Sequence, residues 1–273
     1  MQWTPEAEDA IKKVPFFVRK RVRARVEDEA QKAGKTTVSL PDVRLTQKRY
    51  LSRMSDEVKG YQLETCFGPG GCPNRTVDSD RLVERLEGIL KQADIRKFLE
   101  KHVKGGLKHH HEFRVAAADC PNACSQPQIR DMGIIGATEP MLTDEACTHC
   151  NLCTDTCIEE AITVKESEGF PIIDYDRCVK CGKCIEVCPT GTIAVRRKGY
   201  RILLGGKLGR HPRLAEEIPG LHSEEEVVSI LKKCIDFYRK NSKQGARFAE
   251  IYQNAKTHGL LASDTSRETN IDD

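Results

Sequence analysis

Cysteine is the residue type with the most evident chemistry in this chain of 273 residues, which contains 13 of them. Two runs share the spacing C-x2-C-x2-C-x3-C and follow one another in the sequence. The first run consists of Cys147, Cys150, Cys153 and Cys157, and the second of Cys178, Cys181, Cys184 and Cys188, with Pro189 next. Three closely spaced thiolates can enclose one corner of a [4Fe–4S] cube, while the displaced fourth cysteine reaches a second cube. The repeat therefore predicts two iron–sulfur clusters.

Crossed ligation assigns four cysteines to each of these clusters. One cluster takes Cys147, Cys150, Cys153 and Cys188, and the other takes Cys178, Cys181, Cys184 and Cys157. A pair of structural zinc sites is the alternative, because all-cysteine zinc sites also use C-x2-C pairs. Residues 140–196 resemble the bacterial two-cluster ferredoxins. That resemblance implies a segment that passes electrons between two neighbouring clusters.

A second group of cysteines lies outside the two runs. It consists of a C-x5-C loop, Cys66 to Cys72, and a later C-x3-C pair, Cys120 and Cys124. Four thiolates can hold a third [4Fe–4S] cluster, and the glycines and prolines beside them allow backbone N–H groups to turn toward the sulfur atoms. A zinc site is again the alternative. The remaining cysteine, Cys234, falls on the apolar stripe of a predicted helix, so we expect it in the core.

The C-x5-C and C-x3-C pairs resemble the sirohaem/[4Fe–4S] motif of sulfite and nitrite reductases. Residues 205–210 are similar to the glycine-rich segment of that family. The resemblance implies that Cys124 bridges the third cluster to the iron of a sirohaem, and that Lys207 and Arg210 bind the carboxylates of the sirohaem. The residues predicted to bind the substrate or the haem are Arg75, Arg114, Lys207 and Arg210.

Two departures from that family bear on activity. Complete reductases carry a second half, or a further lobe, that helps to enclose the haem and supplies a substrate-binding arginine. In this chain that lobe is absent or replaced by a helical segment. The family also has a lysine-x-lysine arrangement before the second cysteine pair, where this chain has Glu112, Phe113 and Arg114. A desolvated carboxylate at Glu112 would repel an anionic substrate.

The N-terminal residues carry a different resemblance. Trp3, residues 13–19 and residues 27–34 look like the small helical domain at the end of one subunit of light-independent protochlorophyllide reductase. Every charge between residues 11 and 26 is positive, which fits a solvated basic face or a surface for an acidic partner. Apolar residues at helical spacing predict an amphipathic helix over 15–34. Its predicted apolar face consists of Phe17, Val18, Val22 and Val26.

These segments predict an α+β fold in three parts. The parts are a small helical domain over 1–55, a discontinuous α/β reductase-like domain over 56–140 and 197–265, and an inserted two-cluster ferredoxin domain over 141–196. Apolar periodicity within the reductase-like domain predicts a helix over 80–103 and strands over 113–118 and 200–204. Ser223 and Glu226 form a capping box, which predicts the start of a second helix.

Composition excludes several other classes of protein. The formal net charge is +3 and the isoelectric point is near 8.2, a balance too even for a dedicated nucleic-acid binder. Mean hydropathy is −0.52, and no uncharged apolar run is long enough to span a membrane. The first residues lack the basic-then-apolar pattern of a signal peptide, so we expect a cytoplasmic protein. Cytoplasmic thiols stay reduced, which favours metal ligands over disulfides.

Together these features predict a small sulfite- or nitrite-reductase-type enzyme. Electrons from a redox partner protein would pass through the two ferredoxin clusters to the third cluster and the sirohaem, where a small oxyanion such as sulfite is reduced. We expect an oligomer, because a half-sized reductase leaves a sheet face or a haem edge uncovered. Three alternatives stay open: a haem-free three-cluster subunit of a larger oxidoreductase complex, a tetrapyrrole-handling protein, and a zinc-based regulator.

Overall fold

The computed structural model describes residues 1–165 and 169–253, and the chain divides into two compact units. The first unit contains residues 1–59 and 103–110, and the second contains residues 60–102 and the described residues from 111 onward. Helices and sheets occur in both units, so the predicted α+β class is confirmed. Within the described stretches, no helix has the length and apolar character needed to cross a membrane.

The first unit packs helices beside a short parallel strand pair. Its elements are β1 (Gln2–Trp3), α1 (Pro5–Lys12), α2 (Phe16–Lys32), β2 (Thr37–Val38) and α3 (Leu40–Glu57). Thr4 caps α1 by accepting a hydrogen bond from the amide of Ala7 (3.4 Å), and Pro5 occupies the first turn, where no backbone donor is needed. A core of small and β-branched side chains joins the elements: Ala7, Val26, Ala30, Val38 and Val43.

Helix α2 confirms the helix predicted over 15–34, with Pro15 at its N-cap. The predicted apolar face is correct for Val26, which is buried, but wrong for Phe17, which is 75% exposed. Val22, Val26 and Ala30 recur at intervals of four residues and form the stripe that packs on the core. Phe17 lies off that stripe and therefore points to solvent.

The second unit is built on a mixed sheet with the order β3-β4-β5-β8-β9. The strands of the unit are β3 (Tyr61–Thr65), β4 (Phe113–Ala118), β5 (Met132–Leu142), β6 (Ile162–Val164), β7 (Pro171–Ile173), β8 (Ile193–Leu204) and β9 (Glu216–His222). The pairs β3–β4 and β4–β5 are parallel, whereas β5–β8 and β8–β9 are antiparallel. The predicted strand over 113–118 is confirmed as β4. The strand predicted over 200–204 is the end of a longer one, because β8 pairs with β5 from residue 193 onward.

Six helices of this unit lie within the described residues. They are α4 (Asp80–Gln92), α5 (Ile95–His102), α6 (Leu152–Thr156), α7 (Lys183–Val187), α8 (Glu224–Asn241) and α9 (Phe248–Ile251). Helices α4 and α8 contact the sheet. The single helix predicted over 80–103 is wrong, since it breaks into α4 and α5 at Asp94, whose φ of 45° is left-handed. Ser223 caps α8 through the predicted capping box, and Cys234 is fully buried on that helix, as expected.

The ferredoxin-like segment, residues 141–196 except 166–168, leaves the sheet between β5 and β8. These two strands remain paired up to its base, where Leu142 lies opposite Ile193. Two short helices and the β6–β7 hairpin follow, and each helix carries the third cysteine of one run. The core of the segment contains Cys153, Ile162, Ile173, Cys184 and Ile193. The two cysteine runs therefore fold as two similar halves around a shared apolar centre.

Candidate metal centres

Two cavities in the ferredoxin-like segment collect the eight cysteines of the two runs. The first set, Cys147, Cys150, Cys153 and Cys188, lines a solvent-open cavity of about 310 Å³. The second set, Cys157, Cys178, Cys181 and Cys184, lines one of about 360 Å³. Within residues 1–165 and 169–253, no group of three or more His, Cys, Asp or Glu side chains is close enough to hold a single metal ion. The eight cysteines thus lie together in the two sets that crossed ligation predicts.

The backbone repeats the same turn in both runs. His149 and Asn151 flank Cys150 with left-handed φ values of 51° and 60°, and Lys180 and Gly182 flank Cys181 with values of 61° and 77°. Such turns direct successive backbone N–H groups to one side, where they can face an anionic group.

The fourth cysteine of each run also accepts a backbone hydrogen bond. The amide of Ala161 donates to Sγ of Cys157 (3.3 Å), and the amide of Ile193 donates to Sγ of Cys188 (3.4 Å). Hydrogen bonds to cluster sulfurs are one of the means by which a protein sets a cluster's reduction potential.

Burial and crowding raise the pKa of several of these thiols. Burial raises the pKa of Cys184 to about 12, and the neighbouring Cys178, Cys181 and Cys157 add to the effect. Burial likewise raises the pKa of Cys153, with Cys147 and Cys150 contributing. Thiolates gathered at this density repel one another until a cation neutralises them. Binding of iron would therefore release protons and stabilise the fold.

The third group, defined as Cys66, Cys72, Cys120 and Cys124, lies at the carboxyl ends of β3 and β4. Because these strands are parallel, the loops that follow them meet at one edge of the sheet. Cys66 accepts hydrogen bonds at Sγ from the amides of Gly68 and Asp119, both at 3.3 Å. Burial raises the pKa of Cys120, and the thiols of Cys66, Cys72 and Cys124 raise it further. All four sulfurs are thus close enough to interact.

Two local features make this group similar to the ferredoxin-like runs. Ala123, the residue before Cys124, has a left-handed φ of 51°, as do the residues before Cys150 and Cys181. Cys120 is buried whereas Cys124 is exposed, as Cys150 is in the first set.

Arg75 is held by carboxylates at this edge of the sheet. Its Nε lies 2.6 Å from the buried Asp119 carboxylate, and its Nη2 contacts Asp78 (2.6 Å) and Asp80 (2.8 Å). Asp119 also accepts a hydrogen bond from Ser79. The charge of Arg75, which the sequence suggested for substrate or haem binding, is therefore already balanced within the chain.

Arg114, on β4, belongs to a set of half-buried arginines that we call the arginine cluster: Arg114, Arg130 and Arg247. Burial lowers the pKa of Arg114, and the positive charges of Arg247 and Arg130 lower it further. Within the described part of the chain, the Nε atoms of Arg130 and Arg247 are buried and lack a hydrogen-bond partner. Glu64 forms an ion pair with Arg130. The cluster thus has N–H donors directed at no protein acceptor, which is an arrangement suited to an anion.

Two members of the arginine cluster carry no signal in the sequence. Arg130 lies six positions beyond Cys124, where no motif marks it. Arg247 precedes α9 and approaches Arg114 because Asp131 connects the two regions. The Asp131 carboxylate accepts hydrogen bonds from the amides of Arg114 (2.9 Å) and Ala249 (3.2 Å).

The predicted glycine-rich segment, 205–210, packs against the chain that follows Cys124. A Cβ on Gly206 would lie 2.5 Å from the carbonyl oxygen of Gln128 and 2.8 Å from that of Arg130, so only glycine fits there. Lys207 is half-buried, and its backbone exchanges two hydrogen bonds of 2.9 Å with Arg213. Arg210 is exposed. The structure therefore brings the glycine-rich segment next to Arg130.

Glu112 does not lie as an exposed carboxylate. It is 3% exposed and accepts a hydrogen bond of 2.7 Å from Nε2 of Gln62 on the neighbouring strand. The charge that the sequence places opposite an anionic substrate is thus buried and hydrogen-bonded.

Comparisons with known proteins agree with the resemblance to sulfite and nitrite reductases and with the resemblance to protochlorophyllide reductase. Residues 61–260 match the family described as nitrite and sulphite reductase 4Fe-4S domain, and residues 3–46 match the family described as proto-chlorophyllide reductase 57 kD subunit. One subunit of the light-independent protochlorophyllide reductase of Chlorobium limicola is 59% identical over 39 residues, which is 14% of this chain and 7% of that protein. The N-terminal similarity is therefore close but short.

Two longer relatives each match about two thirds of the chain. Coenzyme F420-dependent sulfite reductase of Methanocaldococcus jannaschii is 31% identical over 186 residues, which is 67% of this chain and 27% of that protein. One subunit of the anaerobic sulfite reductase of Salmonella typhimurium is 23% identical over 188 residues, 67% of this chain and 50% of that protein. The chain thus spans half or less of the length of these two relatives. Since the reductase family model covers residues 61–260, the chain belongs to the nitrite and sulphite reductase 4Fe-4S domain family.

Proposed function

We propose that this chain is a sulfite-reductase-type redox protein with three [4Fe–4S] clusters and a sirohaem. Electrons from a partner protein enter through the ferredoxin-like segment, pass to the third group, and reduce a small oxyanion such as sulfite. The observation that carries the proposal is the position of the third group, whose four cysteines meet at one sheet edge, in the same unit as the half-buried arginine cluster. Relatives named as sulfite reductases support the choice of oxyanion.

The chemistry of the cysteines fits iron–sulfur clusters at all three positions. Each set offers four sulfurs, and sulfurs in every set accept backbone hydrogen bonds, as in the amide of His149 donating to Cys147 (3.4 Å). In the second set and the third group, burial disfavours the negatively charged thiolate form of cysteine. Positively charged iron bound to these thiolates would offset that electrostatic cost. An apolar core without metal would not need such an arrangement.

The residues near the third group also fit an anionic macrocycle. Cys124 presents an exposed sulfur, and the buried Nε atoms of Arg130 and Arg247 need acceptors that the described protein does not supply. Carboxylates of the macrocycle would satisfy these donors, with Lys207 and Arg210 contributing from the glycine-rich segment. Bound sirohaem would supply the iron centre at which the oxyanion is reduced.

The protein side chains then have separate tasks. The guanidinium of Arg114 keeps a positive charge and attracts the oxyanion, while Arg130 and Arg247 hold carboxylates. Arg75 positions the loop after Cys72 by pairing with Asp119, so in this proposal it does not touch the substrate. Burial of Glu112 against Gln62 keeps its carboxylate away from an incoming anion.

Cofactor binding tests the proposal directly. The anaerobically purified chain is reconstituted with iron, sulfide and sirohaem, passed over a desalting column, and its absorption spectrum is recorded. We expect sirohaem bands that remain with the protein, and at least about tenfold weaker sirohaem binding in the Arg130→Gln/Arg247→Gln double variant, because two charge-assisted hydrogen bonds are lost. Arg177→Gln, at an exposed site, is the control. If the wild-type protein contains its full complement of iron but retains no sirohaem, the proposal that the chain binds sirohaem is wrong.

A haem-free three-cluster subunit is the second candidate. The buried Glu112, at a position where reductases of this family have a basic residue, favours it. That candidate predicts about twelve iron atoms per chain, no tetrapyrrole after reconstitution, and a stable partner protein that accepts the electrons.

A further inference from the structure

A hydrogen-bonded contact joins the second set of cysteines to the sheet that carries the third group. The backbone amide of Thr138, on β5, donates to the carbonyl oxygen of Lys180 at 2.7 Å, directly before Cys181. Thr138 and Cys181 form an isolated parallel β-bridge. An ion pair between Lys180 and Glu139 (3.0 Å) reinforces the contact. The second set is thus fixed to β5 by backbone bonds.

From Thr138 the contact continues to the third group. The hydroxyl of Thr76 donates to the hydroxyl of Thr138 at 2.9 Å, and both residues are buried. The amide of Thr76 donates to the carbonyl oxygen of Asp119 (3.0 Å), and the amide of Asp119 donates to Sγ of Cys66 (3.3 Å). An unbroken series of covalent and hydrogen bonds therefore runs from Cys181 to the sulfur of Cys66. We call its centre, Thr76 and Thr138, the threonine bridge.

Two glycines along this path have little room for a side chain. A Cβ on Gly182 would lie 3.1 Å from Cβ of Thr138 and 3.4 Å from the hydroxyl oxygen of Thr76. A Cβ on Gly136 would lie 2.7 Å from the carbonyl oxygen of Asp119. Glycine at both positions allows close packing, so the path between the two sulfur sites is filled with bonded atoms.

The first set has different surroundings. The amide of Thr143 donates to the carbonyl oxygen of Thr192 (2.9 Å), and the hydroxyl of Thr192 donates to the carbonyl oxygen of Ala146 (3.2 Å). These hydrogen bonds stay within the ferredoxin-like segment. The two sets are similar in their own geometry, but the series of bonds that ends at Cys66 starts beside the second.

We propose that the cluster held by the second set, the inner cluster, passes electrons directly to the third cluster, and that the threonine bridge couples the two. The cluster held by the first set is then the outer cluster, where electrons from the partner protein enter. This inference rests on the proposed function and deepens it. In the step across the bridge one electron leaves the inner cluster, which is oxidised, and enters the third cluster, which is reduced. No proton moves and no bond breaks. A low-potential redox protein supplies the electron through the outer cluster.

The test uses the reconstituted full chain without substrate. Thr76→Val/Thr138→Val removes both hydroxyls at nearly constant side-chain shape, and Thr163→Val, at an exposed position on β6, is the matched control. Freeze-quench EPR after rapid one-electron reduction follows the third cluster's signal. A second sample, reduced with excess dithionite so that neighbouring clusters are paramagnetic at the same time, gives their dipolar coupling, a readout that needs no turnover. We expect electron arrival at the third cluster to slow about tenfold in the double variant and to remain unchanged in the control, with equal iron and sulfide.

Two further variants test which of the two sets of cysteines holds the cluster next to the third cluster. Cys150→Ala removes a ligand from the first set and Cys181→Ala removes one from the second. We expect dipolar coupling to the third cluster to survive in Cys150→Ala and to vanish in Cys181→Ala. The reverse pattern, or an arrival rate within twofold of wild type in the threonine variant, would overturn the inference. About eight iron atoms per chain, with no third signal, would overturn the proposed function as well.

Discussion

The ferredoxin-like segment and the third group hold the same number of cysteines per centre but build their centres in opposite ways. In the ferredoxin-like segment every cysteine of both sets lies within residues 147–188, and two similar short helices position them. In the third group, Cys66 and Cys120 follow separate parallel strands and meet only when β3 and β4 pair. One centre type depends on local turns, and the other depends on the sheet. The difference also extends to charge, because the ion pair beside the third group contains a fully buried carboxylate, Asp119, whereas Glu139, which pairs with Lys180 beside the second set, is partly exposed.

Removal of one ligand should separate the two regions most clearly. We expect Cys120→Ala to lose about four of about twelve iron atoms while the ferredoxin-like clusters stay, because none of their cysteines lies on β4. Cys184→Ala should lose the second-set cluster and leave the third. Iron and acid-labile sulfide analysis with EPR measures both outcomes. Cys234→Ala, in the core of α8, serves as the control that keeps all iron. An unchanged iron content in Cys120→Ala would show that the third group holds no cluster.

The buried carboxylate beside the third group should have the next largest effect. Asp119→Asn leaves the partly buried Arg75 without its buried partner, and we expect a loss of about 3 kcal/mol in the free energy of unfolding. Denaturant titration under anaerobic conditions measures the loss. Asp78→Asn removes an exposed partner of the same arginine and should cost less than about 1 kcal/mol. Equal costs for the two variants would contradict the role given to burial.

Asp131 predicts a smaller, pH-dependent difference. Burial raises the pKa of this carboxyl to about 6, although hydrogen bonds from the amides of Arg114 and Ala249 and the charge of Arg247 oppose the shift. The folded pKa lies above the unfolded value, so the native state binds more protons and stability falls as the pH rises through 6. Between pH 5.5 and 7.5 this group should remove about 1 kcal/mol.

The variant Asp131→Asn isolates that contribution. We expect its unfolding free energy to depend less on pH than that of the wild-type protein over the same interval, as followed by thermal unfolding in matched buffers. The ion pairs of the ferredoxin-like segment carry no comparable buried carboxylate in the described residues. A pH dependence that is identical in the variant and in the wild type would show that Asp131 does not titrate there.

The smallest effect is expected in the ferredoxin-like segment itself. Arg177 pairs with Glu160 at 3.4 Å, and both side chains are more than half exposed. Arg177→Gln should therefore change the unfolding free energy by less than about 0.5 kcal/mol. Denaturant titration beside Asp119→Asn compares an exposed ion pair with a buried one in the same chain. A loss above about 1 kcal/mol would mean that the exposed pair has a structural role.

The contrast between the regions also explains which features the sequence predicts. The crossed cysteine sets depend on spacing alone, and the strand β4 and the cap of α8 depend on local patterns. All of these could therefore be predicted from the sequence. The arginine cluster was not, because Arg247 approaches Arg114 only after α9 packs on the sheet through Asp131. The threonine bridge joins residues 62 positions apart and carries no motif.

Local errors had local causes. The helix predicted over 80–103 is interrupted because Asp94 adopts a left-handed conformation that apolar periodicity cannot reveal. Phe17 was placed on the apolar face because its neighbours recur at helical spacing, yet the packed stripe passes through Val22 and Val26. In both cases the apolar residues do recur at helical spacing, but tertiary packing decides where the helix ends and which of these residues are buried.

The continuous pairing of β5 with β8 has a further consequence for how such proteins vary. Thr138 lies six residues along β5 from Met132, and the two strands remain paired to the base of the ferredoxin-like segment. Adding two residues to each strand would move that segment outward by about 7 Å while every side chain kept its face. The distance between the ferredoxin-like segment and the start of β5 therefore depends on strand length, which insertions and deletions of two residues can adjust in fixed steps.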